Sequence, residues 1–379
     1  MSLVLTEEQE MLGTEVRRIL KDVGAVSHLR ELRESPSPAG FSHALWRAFC
    51  DAGFSAILIP EKYGGAGLGM PEVGVVMQEI GRTLVPIPFL ATSVLSVTAL
   101  NRAASKAQKA DLLPRIISGD VVVALALEEQ AKHRPESLSL RSTPAGGGFA
   151  LNGAKTFVLD GQAADYFIVV TRPDSGTEDE SSVSLFLVSR ELAGISVERT
   201  AQIDGHMSAK ILFQDCRVEQ NAVMGVYGEG RDILEHVVRC GRLAVAGELL
   251  GVAEECLLRT VVYLKTRKQF GRLIGEFQAL QHRAARLFVE VEMSRAAVLA
   301  ALEAYQTSSA RAELLASVAK ARAGATASLV VQESVQLHGG IGMTDELDIG
   351  LFLKRARVLQ EAFGDVHYHL NRIAELGGY

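Results

Sequence analysis

Residues 267–282, RKQFGRLIGEFQALQH, set a polar and aromatic segment between two long stretches of helical periodicity. Arg267 offers a planar cation with several N–H donors, Phe270 offers an aromatic surface, and Gly271 permits a tight backbone turn. The basic cluster KTRKQFGR, residues 265–272, is too local for a nucleic-acid groove but could clamp one phosphate-bearing ligand. A plainer alternative, in which Arg267 and Lys268 are a solvated helix end, stays open on this stretch alone.

A second stretch, residues 335–346 (VQLHGGIGMTDE), points the same way. Gln336 can hydrogen-bond a bound molecule, and Gly339 and Gly340 let the backbone approach that molecule without a Cβ in between. The alternative is that the glycines only end a helix. The joint occurrence of both stretches in register favours ligand binding.

The composition is that of an ordinary globular protein: 379 residues, 48% hydrophobic and 22% charged, with a formal net charge of −6. This length predicts two or three domains, and the slight acidity argues against nucleic-acid binding. The first residues lack the pattern of a signal peptide and are too acidic for a mitochondrial presequence, and no apolar run approaches a bilayer span. The four cysteines show neither a CxxC pair nor zinc-like spacing. We therefore expect a cytoplasmic protein with reduced thiols, no membrane segment and no metal.

Three zones follow one another along the chain. Residues 1–120 have helical periodicity and open with Thr6 and Gln9 at capping-box spacing. Residues 121–227 contain short β-branched runs separated by turn-rich segments, including an acidic loop PDSGTEDESS, and predict a small antiparallel barrel or sandwich. Residues 228–379 are helical again and predict a four-helix bundle.

This order of zones, with RKQFG and QLHGG, resembles the acyl-CoA dehydrogenase family. Five more segments occur in the family's order, and the resemblance covers essentially the whole chain: LTEEQ, IPEKYGGAGLG, GGFALNGAKTFVLDG, LFQDCRV and MGVYGEG. It implies an α+β multidomain fold with an N-terminal helical domain (1–120), a middle β domain (121–227) and a C-terminal helical bundle (228–379) for FAD binding and oligomerisation. It also implies a flavoenzyme that removes a proton and a hydride from an acyl-CoA thioester to give the 2,3-enoyl product.

The implied cofactor is FAD. In the family, the two segments reach across a dimer interface and hold the adenine-diphosphate end of a neighbouring subunit's FAD. By resemblance, this role falls on Arg267, Gln269, Phe270, Gln278, Gln336, Gly339 and Gly340. The resemblance further implies an acyl-CoA substrate, an oligomer built as a dimer of dimers, and electron-transfer flavoprotein as the electron acceptor.

The middle zone departs from the family's pattern. Where many members carry a TEPxAGSD loop, this chain has ALEEQAKHRPES at residues 126–137. Phe157 stands in place of a tryptophan that packs on the flavin and could replace it as a flat wall, but Leu159 cannot replace the neighbouring hydroxyl. This flavin pocket is either damaged or merely divergent, and the sequence leaves both readings open.

The catalytic base is also missing from its usual places. Counting from Gly340, the family's catalytic glutamate falls on Phe363, and the alternative position before Arg242 is Gly241. A positioned base contributes about 10²- to 10⁴-fold. Phe363 cannot accept a proton, although its backbone N–H could donate to the thioester carbonyl. We assign Phe363 to substrate binding together with Arg242, which could instead simply pair with a neighbouring acid.

Asp365 is the candidate substitute base. It replaces a threonine that meets the flavin, so it is also a candidate cofactor contact; the alternative makes it the N-cap of a helix beginning GDVHYHL. His367 and His369 receive no role, and Glu361 could reach the loop without being singled out.

The chain ending, HGGIGMTDE followed by FGDVHYHL, looks most like the small, base-lacking subunit of two-subunit acyl-CoA dehydrogenases, such as that of pimeloyl-CoA dehydrogenase. The leading hypothesis is a subunit that shares FAD across an interface with a non-identical, base-carrying homologue. The alternatives are a self-sufficient homo-oligomer using Asp365, a non-catalytic scaffold or regulatory homologue, and a flavin monooxygenase or oxidase on the same architecture.

Overall fold

The computed structural model of the chain describes residues 4–22, 25–174 and 182–379. Most of the predicted acidic loop PDSGTEDESS lies outside these residues. Helices occupy both ends of the chain, with short 3₁₀ turns and a π-helical segment (Phe89–Ser96) between them. Their bounds are α1 Glu7–Asp22, α2 Ala25–Glu34, α3 His43–Asp51, α4 Met70–Thr83, α5 Val97–Ala103, α6 Lys106–Ile117, α7 Arg231–Thr266, α8 Gln278–Gln306, α9 Ala312–His338, α10 Ile349–Glu361 and α11 Val366–Gly377.

The middle of the chain forms the strands β1 Val123–Ala126, β2 Arg141–Ala145, β3 Gly148–Leu159, β4 Tyr166–Pro173, β5 Ser184–Ser189, β6 Ile195–Ala201, β7 Met207–Glu219 and β8 Val223–Met224. They lie in one sheet in the order β6-β7-β3-β2-β4-β5-β8, with β1 beside β4. A separate hairpin pairs β9 Lys268–Gln269 with β10 Arg272–Leu273. The predicted fold class is confirmed, with two differences of detail: the large sheet is open, and β1–β4 and β2–β4 pair in parallel.

The local sequence explains where the helices begin. At the start of α1, the Thr6 backbone N–H donates to Gln9 Oε1 (3.1 Å) and the Gln9 N–H donates to Thr6 Oγ1 (3.3 Å). The predicted capping box is therefore confirmed. Val16 and Leu20, at helical spacing from Leu12, are fully buried, so α1 packs through the predicted apolar face.

The chain divides into two compact units that do not coincide with the three sequence zones. The first, here called the bundle unit, comprises Met1–Arg30, Met70–Val85 and Arg242–Tyr379. The second, the sheet unit, comprises Glu31–Gly69 and Pro86–Gly241. The boundaries 1–120, 121–227 and 228–379 remain predictions.

Glycines allow α4 and α7 to pack backbone against backbone inside the bundle unit. A Cβ added to Gly81 would lie 2.1 Å from the carbonyl oxygen of Glu248, and one added to Gly251 would lie 1.9 Å from that of Gln78. Neither position can therefore hold a side chain unless the helices separate.

Among the described residues, one helical stretch, Ala312–Met343, passes a test for a membrane span by length and composition. Of its apolar window, 61% is buried inside the protein, as in the core helix of a globular fold.

Candidate functional site

Three phenylalanines singled out by the sequence share an unusual backbone conformation. Among the described residues, seven non-glycine positions have positive φ, and they include Phe157 (50°), Phe270 (53°) and Phe363 (56°). A bulky residue in this region costs of order 1–3 kcal/mol, and such residues concentrate at functional sites. The strained backbone at each of the three residues therefore marks it as a candidate functional position.

Phe270 forms the tip of the β9–β10 hairpin. Arg272 pairs with Gln269, which leaves Phe270 and Gly271 (φ 79°) as a two-residue turn with both φ values positive, as a type I′ hairpin requires. The Phe270 side chain is 91% exposed and touches the Phe277 ring edge-on at 6.2 Å. The hairpin thus holds an aromatic ring out from the bundle unit.

The two sequence stretches meet through the ends of their helices. The ring of Tyr263, in the last turn of α7, lies 4.4 Å from the ring of His338 at the end of α9. Gln336, Gly339 and Gly340 are exposed, and no atom lies within 4 Å of a Cβ built on either glycine.

Apart from Asp365, which is half-buried, the predicted cofactor contacts on the bundle unit lie on its exterior. Arg267, Gln269 and Gln278 are exposed, like Phe270 and the open glycines. A guanidinium suits a diphosphate, an aromatic ring suits a stacking partner, and bare glycines suit close backbone approach, so these residues fit the adenine-diphosphate half of FAD. They offer an outer surface for that group, and their assignment to FAD remains a prediction.

In the sheet unit, Phe157 lies in an irregularity of the β3–β7 pairing between Lys155 and Val158. Its side chain is 47% exposed, and its role as a flat wall for the flavin remains a prediction. Leu159 is the last residue of β3 and brings no hydroxyl.

The segment that replaces TEPxAGSD is held by a buried ion pair that sequence reasoning missed. The Lys155 Nζ, fully buried, donates to Glu129 Oε1 (2.7 Å) and to the carbonyl of Leu127 (3.0 Å). Glu129 also accepts the backbone N–H groups of Ser139 and Leu140. Burial lowers the pKa of Lys155, and Glu129 opposes that shift. The segment is thus an ordered structure.

A second unpredicted pair lies in the same segment. His133 Nδ1 lies 2.5 Å from Glu128 Oε1, and the carbonyl of Glu128 accepts the backbone N–H of Thr156 (2.7 Å). The available signal was a pair of adjacent acids directly after the apolar run at residues 121–127. Nothing in the sequence assigned them partners.

Phe363 and Gly364 form a tight turn between α10 and α11. Phe363 is only 7% exposed. A Cβ on Gly364 (φ 106°) would lie 2.4 Å from Tyr368 Cδ1, so the position requires glycine. Asp365 Oδ1 accepts the backbone N–H of Tyr368 (2.9 Å), which confirms the predicted N-cap alternative. The role of Asp365 as a base or flavin contact stays a prediction.

Two side chains missed by sequence reasoning hold this turn. Lys320 of α9, 2% exposed, donates through Nζ to the carbonyls of Gln360 (3.1 Å) and Gly364 (2.9 Å). His369, fully buried, lies with Nε2 3.1 Å from the carbonyl of Phe363. Burial lowers the pKa of Lys320 to about 7.

Arg242 lies beside the turn, in the acid-paired arrangement predicted as its alternative. It is 3% exposed and donates to Glu313 Oε1 (2.7 Å) and to the Tyr368 hydroxyl (3.0 Å). Arg372 bonds the same Glu313 oxygen at 2.6 Å. The structure therefore brings Arg242, Phe363 and Asp365 together around the first turn of α11, with the arginine paired to an acid.

Comparison with known families accounts for nearly the whole chain. Three domain models match: acyl-CoA dehydrogenase, N-terminal domain, at residues 6–120; middle domain at 125–216; and C-terminal domain at 228–377. Mitochondrial isovaleryl-CoA dehydrogenase of Pongo abelii is 29% identical, over 95% of this chain and 86% of its own length. A probable acyl-CoA dehydrogenase of Mycobacterium tuberculosis is 28% identical, over 94% and 92%.

Solved structures with a similar fold also match nearly the whole chain. A variant of the Tcur3481-Tcur3483 steroid acyl-CoA dehydrogenase gives a TM-score of 0.88 at 29% identity, over 98% of both chains. A chain of the ChsE4-ChsE5 complex from Mycobacterium tuberculosis gives 0.90 at 27%, over 100% of this chain and 99% of that one. Butyryl-CoA dehydrogenase of Megasphaera elsdenii shares the fold, with a TM-score of 0.92 at 24% identity over the whole of both chains.

Proposed function

Since the chain belongs to the acyl-CoA dehydrogenase family, whose members are FAD-dependent oxidoreductases, we propose that it is one subunit of a two-subunit acyl-CoA dehydrogenase. The assembly performs α,β-dehydrogenation of an acyl-CoA thioester, and a homologous partner brings the base. The bound FAD supplies the hydride acceptor. The observation that carries the proposal is Phe363, a side chain that cannot accept a proton, set in an ordered and buried turn.

In this proposal the chain contributes orientation and cofactor binding. The turn at Phe363 closes one side of the substrate site, and Phe157 forms a wall for the flavin ring. The exposed hairpin at Phe270 and the open glycines at 339 and 340 bind the adenine-diphosphate end of FAD from outside the bundle unit. A residue that is 91% exposed on its own chain suits a contact with another chain better than an internal site.

Exposed apolar side chains on the long helices support assembly. Leu258 and Val262 are one helical turn apart on α7, Val289 and Met293 are one turn apart on α8, and each is more than half exposed, as is Phe288. Apolar surface of this kind marks protein interfaces. Two of the matched structures, Tcur3481-Tcur3483 and ChsE4-ChsE5, are named as pairs of proteins, which supports a non-identical partner.

One of those two similar proteins is named as a steroid acyl-CoA dehydrogenase, and we propose bulky thioesters of that kind as the first substrates to test. Electron-transfer flavoprotein remains the proposed electron acceptor, and the cytoplasm the proposed location.

The test is a flavin count on the chain alone and in a complex. The chain is purified alone, then co-expressed with a homologue that carries glutamate at the position of Phe363, and flavin absorbance is compared with protein concentration. We expect flavin and acyl-CoA-dependent reduction only in the complex. One FAD per chain with reduction by acyl-CoA in the isolated chain would refute the partner requirement. Neither flavin nor activity with any homologue would favour the scaffold alternative.

A second candidate is a self-sufficient enzyme with Asp365 as base, favoured by the placement of this carboxylate two residues beyond Phe363. Asp365→Asn separates the two, because asparagine caps a helix as well as aspartate but cannot take up the proton. Under the leading proposal, turnover of the complex is unchanged. Loss of turnover with flavin retained and the same unfolding temperature would favour Asp365 as the base.

A further inference from the structure

Two side chains, one on α9 and one on α11, contact the backbone of the turn at residues 360–364. Lys320 contacts the carbonyls of Gln360 and Gly364, one on each side of Phe363, and His369 contacts the carbonyl of Phe363 itself. Three carbonyls within five residues thus meet two buried side chains. A change in the backbone path at residue 363 would break at least one of these contacts.

A buried lysine is a costly way to satisfy carbonyls. Desolvating an ammonium group costs several kcal/mol, and water or a neutral side chain could supply the same hydrogen bonds. Lys320 nevertheless lies in the middle of α9, only 2% exposed, and donates two hydrogen bonds to the turn. Helix packing alone gives no reason for lysine at this position.

We propose that Lys320 is a positioning residue that, together with His369, fixes the turn so that residue 363 is presented to the reaction site. This inference rests on the proposed function for the identity of the reaction, but its structural part can be tested without flavin or substrate.

The charged and titratable groups around Lys320 determine how the turn responds to pH. Burial lowers the pKa of Lys320, Glu361 at the end of α10 and Asp365 before α11 oppose the shift, and Arg242 on α7 adds to it. Glu313 on α9 and Tyr368 on α11 contact Arg242.

The sign of the pH dependence follows from linkage. In the closed turn the pKa of Lys320 is about 7, against 10.5 for a solvated lysine. When the turn opens and Lys320 is exposed to water, the lysine takes up a proton at any pH between these two values. Raising the pH therefore favours the closed turn. One proton gives up to about a tenfold fall in the opening equilibrium per pH unit. A lysine with only a packing role, never exposed by opening of the turn, gives no such slope.

The experiment is hydrogen exchange of backbone amides on the full-length chain between pH 7 and pH 9, corrected for the intrinsic exchange rate. The reporting peptide spans residues 358–369. In the wild type we expect protection to rise by up to about tenfold per pH unit. Lys320→Gln keeps an amide NH2 group that can donate to the carbonyls, and it does not titrate in this range, so we expect weaker protection with no slope. Lys320→Met, which removes both hydrogen bonds to the turn, should expose the turn further.

A matched control comes from the other buried lysine. The double variant Lys155→Met with Glu129→Gln removes a buried charge pair in the sheet unit, and it should leave the slope at residues 358–369 unchanged. An equal slope in wild type and Lys320→Gln, or a slope lost in the control, would overturn the proposal. Because no flavin or partner is needed, a complex without activity would refute the proposed function and leave this result standing.

Discussion

Replacing Gly251 by alanine tests how closely α4 and α7 pack. The added Cβ would lie 1.9 Å from the carbonyl oxygen of Gln78, well inside van der Waals contact. A backbone carbonyl in a helix cannot rotate away, so the helices must move apart. Overpacking of this kind costs about 1–3 kcal/mol, and we take the upper end because no side chain can yield. The better helix propensity of alanine returns about 1 kcal/mol. We therefore expect the free energy of unfolding to fall by about 2 kcal/mol.

The assay is thermal unfolding of Gly251→Ala beside a glycine variant with room for the methyl group. For a unit of this size, 1 kcal/mol corresponds to about 2–4 °C, so Tm should fall by about 4–8 °C. Gly324, in the middle of α9, is the control, because its Cβ would meet Val366 and Gln360 at 3.7 and 3.8 Å, ordinary contact distances. Gly324→Ala should raise Tm by about 2–4 °C. An unchanged or raised Tm in Gly251→Ala would refute the backbone-contact argument.

Three further outcomes can be measured on the chain alone. Gly364→Ala should lower the free energy of unfolding, measured by thermal unfolding, by about 1–3 kcal/mol, because residue 364 has a positive φ and its Cβ would clash with Tyr368; wild-type stability would contradict this. Lys155→Met should lower the free energy of unfolding by about 3–5 kcal/mol, because the Glu129 carboxylate stays buried without its cation. Adding Glu129→Gln should recover most of that stability, and additive losses in the double variant would contradict the pairing. Burial raises the pKa of the Cys216 thiol to about 11, so a thiol reagent at pH 8 should label it only after unfolding; labelling of the folded chain would contradict its burial.

Local rules allowed part of the structure to be read from the sequence. The capping box at Thr6 and Gln9 depends on residues three apart, and the N-cap at Asp365 on the three residues after it. A glycine after Phe270 predicted a tight turn, and the hairpin supplies it. Each feature is set by neighbours in the chain, so a pattern of a few residues was sufficient.

The remainder depends on contacts between distant segments. Lys320 reaches Gln360 and Gly364 from 40 and 44 residues away, and a lysine in a helical pattern gives no sign of burial. The partner of Glu129 lies 26 residues on, at Lys155. Strand periodicity predicted a β domain, but it cannot determine whether the sheet closes or which pairs run in parallel, since both depend on which strands become neighbours and how the chain connects them.

The exposed tip at Phe270 has a consequence for handling the protein. If another chain's cofactor covers that ring, assembly and cofactor retention are one linked equilibrium, and any ligand that binds only the assembled form pulls free chains into it. Dilution would then release flavin as well as separate subunits, and added FAD would raise the apparent association constant. The yellow colour of a preparation would report on how concentrated its subunits are.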